Sequence, residues 1–138
     1  MNSKLNPNYI CGLVDGEGCF CISFNNHKNG RIEVRLLFEV ELRADDLEIL
    51  KRLKTTLECG NIYKLDYMRY QKWKPHCKYK VSNIVDITQK VIPFFKKYPL
   101  QAKKKISFKS FCKAAELITA KMHLTNNGVT QIRKLRVK

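Results

Sequence analysis

Residues 9–18 carry the most informative pattern in the chain and read Tyr9-Ile10-Cys11-Gly12-Leu13-Val14-Asp15-Gly16-Glu17-Gly18. Gly12 and Gly16 are four residues apart and therefore share one face of a helix, where the missing side chains let another backbone approach closely. Ile10, Leu13 and Val14 supply apolar packing around that face. The pattern predicts a short helix that packs closely against another element along its glycines.

Glu17 follows this helix at the point where backbone carbonyls make the potential negative. A carboxylate is disfavoured there unless a cation or a proton compensates it. A carboxylate beside free carbonyls suits Mg²⁺ together with a nucleic-acid phosphate. From the residues alone, two alternatives stay open: a metal site, or a solvated glutamate in a glycine-rich turn.

The length and composition fit one globular domain. The chain has 138 residues, 44% of them hydrophobic, and a chain of this size buries roughly two-thirds of its unfolded surface. No apolar run approaches the ~18 residues that cross a bilayer, and the first residues do not resemble a secretory signal. We therefore expect an intracellular protein that is neither secreted nor bound to a membrane.

The charge is strongly positive and unevenly placed. Lys and Arg number 27 against 12 Asp and Glu, for a net charge of +15. Residues 96–138 alone hold 12 basic residues and 1 acidic residue. A polyanionic partner explains this distribution through counterion release, and a solubilising lysine-rich surface is the alternative.

Period-two alternation predicts two β-hairpins. The first pairs residues 19–25 with residues 31–41, and the second pairs Ile62 and Tyr63 with residues 78–82. A basic, aromatic stretch from Tyr67 to His76 joins the strands of the second hairpin. Each hairpin has one polar face.

Helices follow each hairpin. The first of these has Asp45 or Asp46 as its cap, Glu48 as a capping-box partner and Gly60 at its end. The next runs from residue 83 to about residue 95, and Pro93 kinks or stops it. A helix over residues 101–119 and a short basic helix capped by Thr125 complete the chain.

The element order αββαββα, followed by one more helix, indicates an α+β fold with helices on one face of an antiparallel sheet and an open polar face on the other. We assign residues 1–120 to a single domain and residues 121–138 to a basic C-terminal helical extension. The six cysteines are expected as reduced thiols in small apolar sites, with Cys19 and Cys21 on one strand face and no zinc-site spacing.

Residues 10–18, ICGLVDGEG, resemble the signature of the LAGLIDADG homing endonucleases, including both helix-face glycines, Asp15, Glu17 and the closing Gly18. Further segments are similar to the family in the expected order: CFCISF at 19–24, FEV at 38–40, GNI at 60–62 and PLQAKK at 99–104. The resemblance extends from Tyr9 to about Phe111.

The resemblance implies a saddle-shaped antiparallel sheet that faces DNA, with paired signature helices at its centre. A chain with one motif is expected to act as a homodimer, with Gly12, Leu13 and Gly16 at the interface. The implied reaction is site-specific hydrolysis of double-stranded DNA on a long pseudo-palindromic site. The implied cofactor is Mg²⁺, and Mn²⁺ or Ca²⁺ also suits the site.

The resemblance also implies roles within the signature. Glu17 would bind the metal, with the carbonyl of Gly16 as a further ligand. Asp15 ranks second among the acids and would cap or hydrogen-bond at the helix junction.

Outside the signature, Lys103 would lie near the active-site waters, and Lys104 or Lys105 could take its place. Leu42 stands where the family often has a glutamine. Any role of that glutamine in positioning water is therefore absent here or is filled by Arg43.

The alternation places polar side chains on the sheet face that would meet DNA. The candidates for DNA contact are Ser23, Asn25, His27, Arg31, Glu33, Arg35, Glu39, Lys78 and Lys80.

Two other classes of function stay open: an intron maturase, which would add intron RNA as a partner, and a nucleic-acid-binding protein that does not cleave. Glu17 and Lys103 favour the nuclease, because a protein that only binds does not need them. The expected compartment is the bacterial cytoplasm or an organelle, either chloroplast or mitochondrion.

Overall fold

The computed structural model describes residues 3–65 and 75–136. Helix α1 (Pro7–Glu17) opens with Asn6 as its cap, whose side chain accepts the N–H of Asn8. The helix ends at Gly18, whose N–H donates to the carbonyl of Val14. A Cβ at Gly18 would lie 2.6 Å from Cγ1 of Val14, so glycine allows the chain to turn directly from α1 into the sheet.

Within the described residues, four antiparallel strands form one sheet in the order β1-β2-β4-β3, where β1 is Gly18–Asn26, β2 is Ile32–Arg43, β3 is Asn61–Leu65 and β4 is His76–Val81. Both predicted hairpins are therefore present. Strand β1 continues through Asn26, because Asn25 and Asn26 pair with Glu33 and Ile32 instead of starting the turn. The α+β fold class is confirmed.

The inner face of the sheet packs against the helices around a cluster of aromatic rings. The ring of Phe20 lies 5.0 Å from that of Phe38, 5.1 Å from Phe108 and 5.2 Å from Phe111, measured between centroids. Phe38, Phe111 and Tyr79 are fully buried. This core anchors β1, the strand that directly follows the signature helix.

Helix α2 (Leu47–Leu57) buries its predicted apolar face, but its ends differ from prediction. Residues Ala44–Asp46 form a 3-10 turn, and Asp46 caps α2 without a side-chain hydrogen bond. Asp46 is one of the two predicted caps, but the predicted capping box of Asp45 and Glu48 is wrong, because Asp45 lies inside the 3-10 turn and Glu48 is only two residues after the cap. Glu58 ends the helix in the left-handed conformation, two residues before Gly60.

The helical run after β4 contains α3 (Ile84–Asp86), a π-helical segment (Ile87–Val91) and α4 (Ile92–Lys97). Pro93 does not stop the helix. The π-helical segment ends at Val91, two residues before Pro93, and the N–H of Ile92 donates to the carbonyl of Ile87. The wider turn lets a residue without an N–H enter the helix in its first positions.

Helix α5 (Lys104–Thr119) begins three residues later than predicted. It is followed by a 3-10 turn (Met122–Leu124) and by α6 (Asn126–Leu135), where Oγ1 of Thr125 accepts the N–H of Gly128 at 3.0 Å as predicted. Helix α6 packs against α5 and buries Val129 and Ile132. Among the described residues, no helix is long and apolar enough to cross a membrane.

The cysteines differ from prediction at one pair. Cys19 and Cys21 form a disulfide, whereas reduced thiols were expected. The two residues point to the same side of β1, with Cα atoms 5.9 Å apart, which places their sulfur atoms together. Cys11, Cys59 and Cys77 are free and buried, and Cys112 is free and half-buried.

Candidate active site and nucleic-acid interface

Asp15 connects the signature helix to the start of α5. Its carboxylate accepts the backbone N–H of Gln101 at 2.9 Å and that of Ala102 at 3.1 Å. These two bonds hold the chain outside the helical conformation at the positions where α5 was expected to begin.

Lys104 is the lysine that reaches the signature. Its Nζ donates to the backbone carbonyl of Gly18, one residue past Glu17, and its side chain is half-buried. Lys103 is the N-terminal cap residue of α5 and is exposed, as is Lys105. The family resemblance favours Lys103 as the lysine near the active-site waters, with Lys104 or Lys105 as substitutes. In the structure, Lys104 is the one that lies at the end of α1.

Glu17 is the last residue of α1 and is exposed. Among the described residues, its carboxylate has no hydrogen-bond or ion-pair partner. Gly16, the second expected metal ligand, lies in the same turn and is also exposed. At the junction of helix and sheet, the exposed Glu17 therefore comes directly before Gly18, whose carbonyl accepts the Lys104 amine.

The donor set at this junction fits a hard divalent cation that is shared with a substrate. Among the described residues, no three His, Cys, Asp or Glu side chains cluster as a protein-only metal site. One free carboxylate with carbonyls at a helix end is instead typical of Mg²⁺ sites that are completed by phosphate oxygens and water. Glu17 and the carbonyl of Gly16 are the groups of this chain that would hold the ion.

One face of α1 is left open. Ile10 and Val14 are fully buried, whereas Gly12 and Gly16 are exposed, and a Cβ on either glycine would meet nothing within 4 Å. Tyr9 on the same side is 50% exposed. Leu13, the third residue predicted for the dimer interface, is half-buried and packs partly on the core.

The outer face of the sheet carries most of the residues that were predicted to contact DNA. Across the strands, Ser23 pairs with Arg35, Asn25 with Glu33, and Glu39 with Lys80. Lys78 is next to Lys80 on the same face, opposite Glu41. His27 and Arg31 lie in the turn between β1 and β2 and are exposed.

Glu33 holds two of these residues by charge-assisted hydrogen bonds. Nε2 of His27 lies 2.8 Å from one carboxylate oxygen, and Nε of Arg35 donates to the other. These bonds, with that of His27 contributing most, hold the pKa of Glu33 below its usual value. The arrangement fixes the direction of Arg35 at the surface of the sheet.

A second charged network crosses β2 and β4. Nζ of Lys78 lies 3.5 Å from Glu39 and 3.7 Å from Glu41, and Nζ of Lys80 lies 4.0 Å from Glu39. Nδ1 of His76 is 3.2 Å from Glu41. Each lysine predicted to contact DNA is therefore paired with an acid on the neighbouring strand.

Two residues of this surface were not among the sequence candidates. Glu41 has the same alternation phase as Glu39, so the period-two pattern alone could have identified it. Tyr63 is 47% exposed and stands opposite Lys78 on β3. Residues 66–74, which hold most of the basic, aromatic stretch from Tyr67 to His76, lie outside the described residues.

Leu42 does not face this surface. It is half-buried and packs against the core, and its strand partner is the buried Cys77. Arg43, the possible replacement for a polar group at that position, is exposed and pairs with Asp45 at 3.1 Å. A water-positioning role for Arg43 stays a prediction.

Comparison with known proteins gives one consistent result. The family model described as LAGLIDADG endonuclease matches residues 10–115. A curated relative, "Probable intron-encoded endonuclease 2" of Neurospora crassa, is 32% identical over 129 residues, which are 94% of this chain and 26% of the relative.

Solved structures agree with that match. The structure of I-SmaMI bound to uncleaved DNA target in the presence of calcium ions has a TM-score of 0.85 at 31% identity, and covers 94% of this chain and 43% of its own. The I-LtrWI LAGLIDADG homing endonuclease bound to target DNA has a TM-score of 0.86 at 28% identity, over 96% of this chain and 43% of its own. The chain thus spans about a quarter of the curated relative and less than half of each solved chain. It belongs to the LAGLIDADG family of homing endonucleases.

Proposed function

We propose that this protein is a divalent-metal-dependent, sequence-specific endonuclease of double-stranded DNA that acts as a homodimer on a long pseudo-palindromic site. The observation that carries the proposal is the junction after α1, where the exposed Glu17 directly precedes Gly18 and the amine of Lys104 donates to the Gly18 carbonyl. A protein that only bound nucleic acid would gain nothing from an unpaired acid beside a basic surface.

The contacts at the junction support a separate role for each residue. Glu17, with the Gly16 carbonyl, would hold the metal ion. The bound ion would neutralise charge on the scissile phosphate and lower the pKa of a water molecule. Lys104 would direct its positive charge at the phosphate oxygen that becomes more negative during hydrolysis. Asp15, whose carboxylate accepts the N–H groups of Gln101 and Ala102, would position Lys104 at the start of α5.

The outer face of the sheet supports DNA as the substrate. The polar side chains of β1, β2 and β4 on this face offer both hydrogen-bond donors and acceptors, and side chains of this kind read base edges in the major groove. The ions and DNA named for the solved relatives agree with this assignment.

A homodimer would place two copies of the junction on the two strands of the duplex. The open glycine face of α1 supports this assembly, because two such helices could approach closely through Gly12 and Gly16. One copy supplies one carboxylate for one strand, and a double-strand break requires two.

The experiment is a cleavage assay on a library of DNA sites with Mg²⁺, comparing wild type with Glu17→Gln. The amide keeps the shape but loses the charge that binds metal, so we expect cleavage to be abolished and duplex affinity to be kept. Glu116→Gln is the matched control, because Glu116 is an exposed acid near the C-terminal end of α5. This variant should cleave DNA at the wild-type rate.

Cleavage by Glu17→Gln at the wild-type rate would remove Glu17 from the mechanism. Absence of cutting by wild type on every site, with duplex binding retained, would instead favour the non-cleaving class.

A further inference from the structure

A cleft beside the signature was not anticipated from the sequence. It lies between the edge strand β1 and helices α5 and α6, and has a volume of about 240 Å³. We name it the β1–α5 cleft, and its polar lining consists of Cys19, Cys21, Lys104, Ser107, Ser110 and Arg136.

The lining has the chemistry of an anion site. Lys104 and Arg136 bring two positive charges, and the described residues of the lining include no carboxylate. Ser107 and Ser110 add hydroxyl groups that make no hydrogen bond to any described residue. Lys104, Ser107 and Ser110 follow one another at three-residue spacing and so share one side of α5.

Arg136 is held in place by an aromatic ring. Its guanidinium carbon lies 5.5 Å from the centroid of Phe24, and that of Arg133 lies 4.5 Å from the same centroid. Such stacking leaves the N–H groups of the guanidinium free to bind an anion in their plane. The end of α6 is therefore fixed beside β1 with its charge directed to the surface.

The cleft is continuous with the proposed active site, because Lys104 belongs to both. We propose that the β1–α5 cleft binds a phosphate of the DNA backbone adjacent to the scissile phosphate, with Arg136, Ser107 and Ser110 as its ligands. This inference rests on the proposed function, and it gives the basic C-terminal helix a specific task. An acidic protein segment is a poorer occupant, because the cleft opens beside the polar sheet face that would already lie on DNA.

The test measures the salt dependence of binding to a mixed-sequence DNA duplex in metal-free buffer, where no cleavage occurs. Each phosphate contact contributes about 0.9 to the slope of log affinity against log salt. Arg136→Gln should therefore lower the slope by about one. Lys134→Gln removes an exposed charge from the same helix but not from the cleft, and should change the slope less.

A second pair of variants uses one position as its own control. Ser107→Asp places a negative charge in the cleft and should weaken duplex binding by about tenfold, whereas Ser107→Ala should change it little. Thermal melting of all four variants checks that the fold is kept. A structural role for Arg136 would lower the melting temperature without selectively changing the slope.

The proposed phosphate site would be contradicted by equal slope changes for Arg136→Gln and Lys134→Gln. Equal duplex affinities of the two Ser107 variants would contradict it as well. Inorganic phosphate at constant ionic strength separates the two sources of this ligand chemistry. If it stabilises wild type but not Arg136→Gln, while the DNA slopes are equal, the cleft binds free phosphate and the DNA assignment fails. These measurements do not depend on cleavage. A wild type that binds DNA but does not cleave it would therefore contradict the proposed nuclease activity and would not contradict the phosphate site in the cleft.

Discussion

On the scale of single residues, Lys104 differs from its neighbours Lys103 and Lys105 in the contact that its side chain makes at the helix junction. Its amine reaches the Gly18 carbonyl, while Lys103 and Lys105 are exposed. We predict that Lys104→Met lowers the single-turnover cleavage rate at saturating DNA by about 10²-fold, because it removes the charge nearest the proposed scissile phosphate. Lys103→Met and Lys105→Met are the matched controls and should stay within a few-fold of wild type. Equal, small losses in all three variants would show an interchangeable basic patch.

The choice among these lysines illustrates what the sequence could not provide. The resemblance located the lysine run, but the one that faces Gly18 depends on where the first turn of α5 begins. Just before that start, the backbone N–H groups of Gln101 and Ala102 donate to the carboxylate of Asp15, which is 86 residues away from Gln101 along the chain. Pairings over such a separation leave no periodic signal, whereas Glu17 is identified by its place in one continuous motif.

Glu33 offers a titration test at the same scale. Its pKa is lowered by hydrogen bonds from His27 and then Arg35. We predict that His27→Ala raises the pKa of Glu33 toward its usual value, measured by NMR titration of the side-chain carboxyl. Because the folded pKa is the lower one, these bonds favour the folded hairpin above the unfolded carboxyl's pKa, and that preference is lost as the pH falls through the lowered value.

Lys28→Ala is the control for this titration, because Lys28 is an exposed cation in the same turn. A Glu33 pKa that is unchanged in His27→Ala would mean that the ring does not hold the carboxylate in solution.

The elements differ in how well their limits could be predicted. Strand alternation is a local property, and it correctly placed Tyr79 and Val81 in the core. Helix ends are harder to place, and the capping box predicted from Asp45 and Glu48 is wrong because a 3-10 turn over Ala44–Asp46 makes Asp46 the cap. Pro93 is a similar case, since a π-helical segment before it allowed the helix to continue. The disulfide between Cys19 and Cys21 also depends on geometry that residue types do not specify.

The connection between α2 and β3 provides a prediction about an element boundary. Gly60 has a φ of 90°, and a Cβ there would lie 2.7 Å from the ring of Tyr79, whose hydroxyl donates to the carbonyl of Cys59 at 2.7 Å. Gly60→Ala should destabilise the protein by about 2–4 kcal/mol, from backbone strain and displacement of the ring. Urea unfolding measures this loss.

Gly30→Ala separates the two causes. Gly30 also has a positive φ, 83°, but a Cβ there would meet nothing within 4 Å. It should therefore cost only the backbone strain of about 1–2 kcal/mol. Equal losses at both positions would mean that the Tyr79 ring moves aside freely.

On the scale of the whole molecule, acidic residues offset part of the positive charge on the outer sheet face, which is the face proposed to contact DNA. The net charge is +15, yet Lys78 and Lys80 on the outer sheet face are paired with Glu39 and Glu41. Paired lysines have a preferred direction, and acids repel phosphates that approach in the wrong register. The unpaired positive charge is concentrated instead in the C-terminal third, where it would attract the backbone regardless of sequence.

A substitution at Gly12 can test the assembly of the whole molecule without disturbing the fold of the protomer. A Cβ at Gly12 meets nothing within 4 Å, so Gly12→Leu should leave the protomer folded, with an unchanged far-UV spectrum. In the proposed dimer the leucine would separate two closely packed helices, because a close-packed interface cannot absorb the added volume. We therefore predict that sedimentation velocity gives a dimer for wild type and a monomer for Gly12→Leu, which should also lose double-strand cleavage. Lys113→Leu adds an exposed leucine to α5 instead and should remain dimeric. A wild type that sediments as a monomer and still cuts both strands would rule out this assembly.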